Sequence, residues 1–217
     1  MTMAERAYHD LKSMVITEAL PPAAPVDKQQ LMEQLGIGQA PLRDALQRLS
    51  FEKLVVISPR RGTFIADLSL IQLQQAFDAR LLIERHTARL AATKITPPQT
   101  KALRDLHRET AQMAAGENLL TAIAIDQQFH RTIAGIGDNE FLRDFLDTLM
   151  PITMRLWYYV HSRAKDPAVT IHEAGQGHFV IIDALATGQP DAAEQAMANH
   201  ILHFRDRAFD QIMNGNR

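Results

Sequence analysis

Cysteine is absent from the 217 residues, which excludes a disulfide framework, a thiolate nucleophile and a thiolate metal site. Long apolar runs are missing as well. The longest, such as that from Leu119 to Ile125, stop far short of the ~18 residues a membrane span requires. The opening MTMAERAYHD carries charges where a secretory leader has its apolar core, so export is not expected and a cytoplasmic location fits. Neither sign of charge dominates. A formal net charge of −2 argues against a chain coated in basic residues for indiscriminate polyanion binding. Residues 1–69 hold eight Lys/Arg and eight acidic residues, so total charge says nothing about DNA and the placement of charges has to decide. Internal repeats and low-complexity tracts are also lacking.

What is present changes texture near residue 70. Residues 3–19 place Ala7, Leu11, Met14, Val15 and Ala19 at helical spacing, and the stretch from Pro21 to Pro25 ends that helix. Asp27 can cap a short second helix with Leu31, Met32 and Leu35 facing inward, and Gly36 supplies the turn after it. A third helix is expected from Gly38 to Leu49. Two β-type runs follow, Leu54–Ile57 and Thr63–Ala66, joined by Ser58-Pro59-Arg60-Arg61-Gly62. Helix, helix, helix, hairpin is the order of a winged helix-turn-helix. From Ile71 the spacing is helical to the end, with breaks at Pro97–Pro98, Gly116, Gly135–Gly137, Pro167 and Gly188–Pro190. Six helices are expected, at 71–94, 98–115, 118–135, 139–164, 168–187 and 190–213. Strand signals are lacking there, which points to a helical bundle. The expected division is therefore 1–69, a winged helix-turn-helix, and 70–217, an all-helical domain, with no long flexible linker between them.

Leu42, Ala45, Leu46 and Leu49 occupy one face of the third helix and have to pack inward. Gln39, Arg43 and Gln47 then line the opposite side, each one turn from the next. Arg can take guanine O6/N7 in a bidentate pair and Gln can take adenine N6/N7, so the stripe has the chemistry of major-groove reading. Lys28 and Arg48 are suited to neutralising phosphates, and Arg60–Arg61 at the hairpin tip to reaching a neighbouring groove or the backbone. A solvated polar face is the bland alternative for the stripe; the basic hairpin directly after it favours DNA. Residues 35–65, with Pro41, Arg43, Ala45, Leu46 and Leu49 followed by Arg61-Gly62, resemble the DNA-binding domain of the GntR family. The family usually has Ser/Thr-Arg at Gly38-Gln39 and Gly at Lys53. The first departure replaces a DNA-contacting arginine and bears on the operator sequence.

Asp126 and His130 stand at i, i+4 on one expected helix, a spacing that suits two ligands of one metal ion and equally a helix-surface pair. His178 and His200 lie mid-helix on or next to apolar faces, where an imidazole needs a partner for its nitrogens and one metal could serve both. His86, His107, His161, His172 and His203 have no matched role, although His203, one turn from His200, could replace it.

The second half, about 71–213, resembles the FCD ligand-binding domain of the FadR-like branch of GntR regulators. The resemblance rests on Arg80-x-x-x-Glu84, Ala91–Ala92, Asp126-x-x-x-His130, Asn139 after the following turn, and His178 with His200 twenty-two positions on. It implies a divalent metal held by Asp126, His130, His178 and His200. That donor set suits Zn, Ni, Mn or Fe. It also implies a homodimer on a palindromic double-stranded operator, and a small organic acid as effector, such as a sugar acid, lactate or a dicarboxylate. Arg80 and Asn139 would bind that acid, with Arg80 able instead to pair only with Glu84. The mechanism expected is linkage, in which the effector shifts the population competent for DNA. The rival readings are a metal-dependent helical enzyme with an accessory DNA-binding module, for which only Glu173 and Asp183 offer a general base, and an architectural DNA-binding dimer with a structural metal. No enzyme is expected.

Overall fold

The computed structural model describes residues 2–113 and 119–215. The expected break at Gly116 lies outside them. Helix α1, Met3–Ile16, opens with a capping box in which the Thr2 hydroxyl accepts from the Glu5 amide while the Glu5 carboxylate accepts from that of Thr2. It ends at a Thr17 cap, a little before the expected end at 19. Helix α2, Lys28–Leu35, is capped by Asp27, whose carboxylate accepts from the Gln30 amide at 3.0 Å, and it stops at Gly36 in the left-handed region. Helix α3 spans Gln39–Phe51, and β1, Val55–Ser58, pairs antiparallel with β2, Gly62–Ile65. Both strands sit one residue from where the pattern puts them, because the pairing closes on Ser58 and Gly62.

Lys53 adopts φ 60° in the turn that leaves α3. A glycine would hold that conformation without strain, at a saving of about 1–2 kcal/mol, so the residue that departs from the family's pattern keeps the pattern's backbone. The segment before α2 joins the wing: Val26 donates to the Thr63 carbonyl at 2.8 Å and Ile65 to that of Ala24 at 2.9 Å. Leu11, Leu42, Ala45, Leu49, Leu54 and Ile65 form a shared core beneath these elements.

The remaining helices are α4 (Leu70–Ala92), α5 (Pro97–Met113), α6 (Leu119–Gly137), α7 (Glu140–Ser162), α8 (Pro167–Ala186) and α9 (Pro190–Gly215). Helix α4 packs against α6, α7 and α9, and its Phe77, Ala88 and Ala91 share one buried core with Phe129, Ile133, Ile181 and Ile201. The chain is thus a winged helix-turn-helix head followed by a helical bundle. The two are in contact. Ile16, the last residue of α1, packs with Ile123, Trp157 and Ile171 of the bundle, and Arg163, the C-cap of α7, donates to Glu18 at 2.6 Å. No helix among the described residues is long and apolar enough to cross a membrane.

Candidate functional site

A cavity of about 520 Å³ lies within the bundle, and Arg80, Asp126, His130, His161 and His200 are on its wall. Asp126 and His130 come from α6, His178 from α8 and His200 from α9. One donor atom from each of these four lies within 4.8 Å of all the others. His178 Nε2 stands 3.3 Å from Asp126 Oδ1, and His130 Nε2 stands 3.9 Å from the same oxygen. Phe129 stacks on the His178 ring at 4.0 Å between centroids and fixes its plane. Gly177 makes room for the fourth member: a Cβ there would stand 2.5 Å from His200 Nδ1. His203, the rival for that place, is exposed and lines the same cavity outside this group.

Glu84 organises the group from behind. Its side chain is 1% exposed, with one carboxylate oxygen against Arg80 Nε and the other against His130 Nδ1. A carboxylate at Nδ1 holds the proton there, which turns the lone pair of Nε2 towards Asp126. Burial pushes the Glu84 carboxyl up, but the charges of Arg80 and His130 and their hydrogen bonds outweigh it and hold it at about 2. Asp126 follows the same balance: burial raises its pKa, while the close approach of His178 and the other nearby imidazoles bring it well below the usual carboxylate range. Burial depresses His178 and, more strongly, His200. Neutral imidazoles and an ionised carboxylate are the states in which these groups bind a cation. His178 Nε2 is buried and meets Asp126 Oδ1 at 3.3 Å outside good hydrogen-bond geometry, an arrangement that a bound cation would relieve. The donor set therefore fits a divalent metal.

The two expected effector contacts part company. Arg80 is on the cavity wall, with Nε committed to Glu84 and Nη1 donating to Thr153 Oγ1 at 3.0 Å. Asn139 is not among the lining residues. Its side chain caps α7, accepting from the Leu142 amide at 3.2 Å, so the structure gives it a local role in place of a contact with the effector. The wall also carries His161, which sequence reasoning left without a role. Its Nδ1 lies 2.7 Å from Thr170 Oγ1 and its Nε2 is buried without a partner. Trp157, one turn back on α7, packs on its ring, but Thr170 and Phe204 reach it from α8 and α9, and no local spacing places it on the cavity. Glu173 and Asp183, the only general bases weighed for an enzyme, are held in ion pairs with Arg207 at 2.7 Å and Arg104 at 2.6 Å.

In the head, Lys28, Gln39, Gln47, Arg43, Arg60 and Arg61 are all exposed. Lys28, Gln39 and Arg43 share one shallow hollow with Ile57 and Thr63 of the wing, so α2, α3 and the hairpin present these groups together. Arg60 and Gly62 hold the tip of the hairpin with φ of 67° and 109°. Arg48 lies elsewhere. It is ~100° round the helix from Gln47, and its guanidinium carbon sits 3.8 Å from the centre of the Tyr8 ring on α1, stacked on a side chain that also bonds Glu52 and Lys12.

Comparison with known proteins agrees with both halves. The model of the FCD domain matches residues 75–203, and that of "Bacterial regulatory proteins, gntR family" matches residues 3–65. The "HTH-type transcriptional repressor RspR" of Escherichia coli K12 is 25% identical over 198 residues, covering 91% of this chain and 85% of that protein. The "Nta operon transcriptional regulator" of Aminobacter aminovorans is 28% identical over 207 residues, covering 92% and 90%. Among solved structures, Escherichia coli McbR/YncC superposes with a TM-score of 0.83 at 21% identity, covering 98% of this chain and 99% of that one, a likeness of fold.

Proposed function

Since the chain belongs to the GntR family of bacterial regulatory proteins, with an FCD domain, and is a DNA-binding transcriptional regulator and not an enzyme, we propose that a small organic acid beside a divalent metal in the bundle controls its operator affinity. The observation that carries this reading is the convergence of one carboxylate and three imidazoles, their donor atoms all within 4.8 Å of one another, beside the bundle cavity that Asp126, His130 and His200 line. Asp126, His130, His178 and His200 would hold the ion, which when bound supplies Lewis-acid positions for oxygen donors. Arg80, already oriented by Glu84 and Thr153, presents its guanidinium to the same space. A hydroxy- or dicarboxylic acid matches a cation and an arginine side by side. In this reading residues 1–69 read DNA and residues 70–217 sense the acid in the cytoplasm. An unequal affinity for the two arrangements of head and bundle is what transmits binding.

The test is a thermal titration of metal-loaded protein with lactate and a series of dicarboxylates. One of these acids is expected to raise the melting temperature and shift operator affinity. Both responses should vanish in chelator-treated protein and in Arg80→Ala, each compared with its own ligand-free midpoint. Protein purified without chelator is expected to carry a divalent ion, and less than about a tenth of an equivalent with no uptake on addition would remove the metal from the proposal.

The assembly proposed is a homodimer, with one recognition helix in each half-site of a palindrome. Exposed Leu82 on α4 and Phe141 and Phe145 on α7 supply an apolar face for a second copy. The bases are assigned to Gln39, Arg43 and Gln47, the phosphates to Lys28, Arg48, Arg60 and Arg61. Because the Arg43 side chain is 76% exposed, Arg43→Ala should leave the fold intact. It should weaken binding to an operator selected from random duplexes by about 1–3 kcal/mol. Lys28→Ala or Arg60→Ala should weaken all sequences alike and lower the salt slope by about one. Wild-type operator affinity in Arg43→Ala would refute the groove assignment.

A further inference from the structure

A second cavity, of about 490 Å³, opens where the head meets the bundle, between β1, residues 66–69, the start of α4, and α7. It shares no lining residue with the metal-site cavity. Its walls are largely apolar, with Leu54, Val55, Leu73, Ala76, Leu149 and Ile152 among them. The buried polar side chain on these walls is Arg155, 2% exposed. Nη1 of Arg155 donates to the Ala66 carbonyl at 2.8 Å, whereas Nε and Nη2 are buried without a hydrogen-bond partner.

The carboxylates whose charges reach Arg155 are committed to other groups. Glu18 accepts from Arg163 at 2.6 Å, and Asp67 Oδ1 accepts from the Leu68 amide at 2.8 Å. Burial accordingly brings the Arg155 guanidinium down to about 10 in spite of those two charges. A guanidinium edge withdrawn from water and left unpaired is costly, and an anion is what relieves it. An independent feature points to the same ligand. Helix α4, twenty-three residues long, begins beside this cavity with Ser69 as its N-cap, and the Ser69 side chain makes no capping hydrogen bond. Ser69, Gln72 and Leu73 are on the cavity wall, so the positive end of the helix faces the space that Arg155 lines.

We propose that this junction cavity is a metal-independent binding site for a short-chain aliphatic carboxylate, with the carboxylate on Arg155 Nε and Nη2 near the α4 N-terminus and the alkyl chain on the apolar wall. A strongly hydrated dianion would lose its water against leucine, valine and isoleucine with too little in return, which is why the ligand is a monocarboxylate. Because Arg155 belongs to α7 and its partner Ala66 to the connection below the wing, such a ligand joins head to bundle. It therefore biases their arrangement independently of the bundle site.

The experiment is a calorimetric titration of the full chain, stripped of metal by chelator, with butyrate as the probe and with phosphate and chloride in parallel. Stripping the metal separates this site from the bundle site, so either can fail alone. Saturable binding of one butyrate per chain is expected, weakened about ten- to a hundredfold in Arg155→Met. Should that variant fail to fold, Val56→Trp, at a half-exposed lining position on β1, obstructs the cavity with Arg155 intact and is expected to abolish binding. The proposal is overturned if butyrate does not bind, if it binds only to metal-loaded protein, if either folded variant binds it as wild type does, or if phosphate or chloride displaces it on equal terms.

Discussion

Glu84→Ala is expected to destabilise the protein by about 3–5 kcal/mol, because it removes one carboxylate that serves two buried partners, the Arg80 guanidinium and the His130 imidazole. Arg80 would keep only the Thr153 hydroxyl, and His130 would lose the group at Nδ1. With both side chains of the ion pair almost fully buried, water cannot replace what is lost. The melting temperature should fall by roughly 10 °C or more. Glu84→Gln separates charge from size. The amide oxygen can still accept from Arg80, so the loss of stability should be smaller. Its NH2 group, however, faces His130 Nδ1 and favours the tautomer with hydrogen on Nε2, turning a donor towards Asp126. Metal affinity should then drop about 10–100-fold. Calorimetric melting with metal analysis checks both variants, and a Glu84→Ala protein that melts with wild type would show that the buried pair contributes nothing.

Acidification should act on metal-free protein in two windows. Burial brings the His161 imidazole down to about 4, against an ordinary value of 6.5. Between those values the unfolded chain takes up a proton that the folded chain refuses, so stability falls with pH and levels off near 4. The loss is roughly 3 kcal/mol. His107, also at about 4, and the depressed His178 and His200 pull in the same direction. Glu84 acts lower. With its folded pKa of about 2 against 4.5, its contribution is complete above 4.5 and is lost as pH falls towards 2. Urea unfolding at a series of pH values reads both windows, and His161→Phe should flatten the upper one. A free energy of unfolding constant between pH 6.5 and 4 would contradict the burial of neutral imidazoles.

The secondary structure was legible because its signals are local. Asp27 and Gly36 bracket α2 through hydrogen bonds and backbone angles that involve only their neighbours. The apolar spacing of Leu42, Ala45, Leu46 and Leu49 settles which side of α3 is buried, and the opposite stripe follows from the 3.6-residue turn. Asp126 and His130 share a face for the same reason. Asn139 shows the limit of this kind of reading. Its position after a helix-breaking turn is also that of an N-cap, and the cap is what the structure shows.

By itself, then, the sequence determined where the helices and the hairpin run, which faces they bury, and that Asp126 and His130 share one face of a helix. Tertiary structure decided what meets them. Glu84 bears on His130 because α4 packs against α6 at one rotation about its axis, and a helix turned by one residue would carry that carboxylate ~100° away. Arg48 stacks on Tyr8 of α1, a partner that the spacing within α3 does not reveal. Arg155 is buried beside an uncapped helix end only because the head docks on the bundle there. Capping and periodicity are properties of a few consecutive residues, whereas the partner of a buried charge depends on the packing of elements far apart in the chain, and no local pattern encodes it.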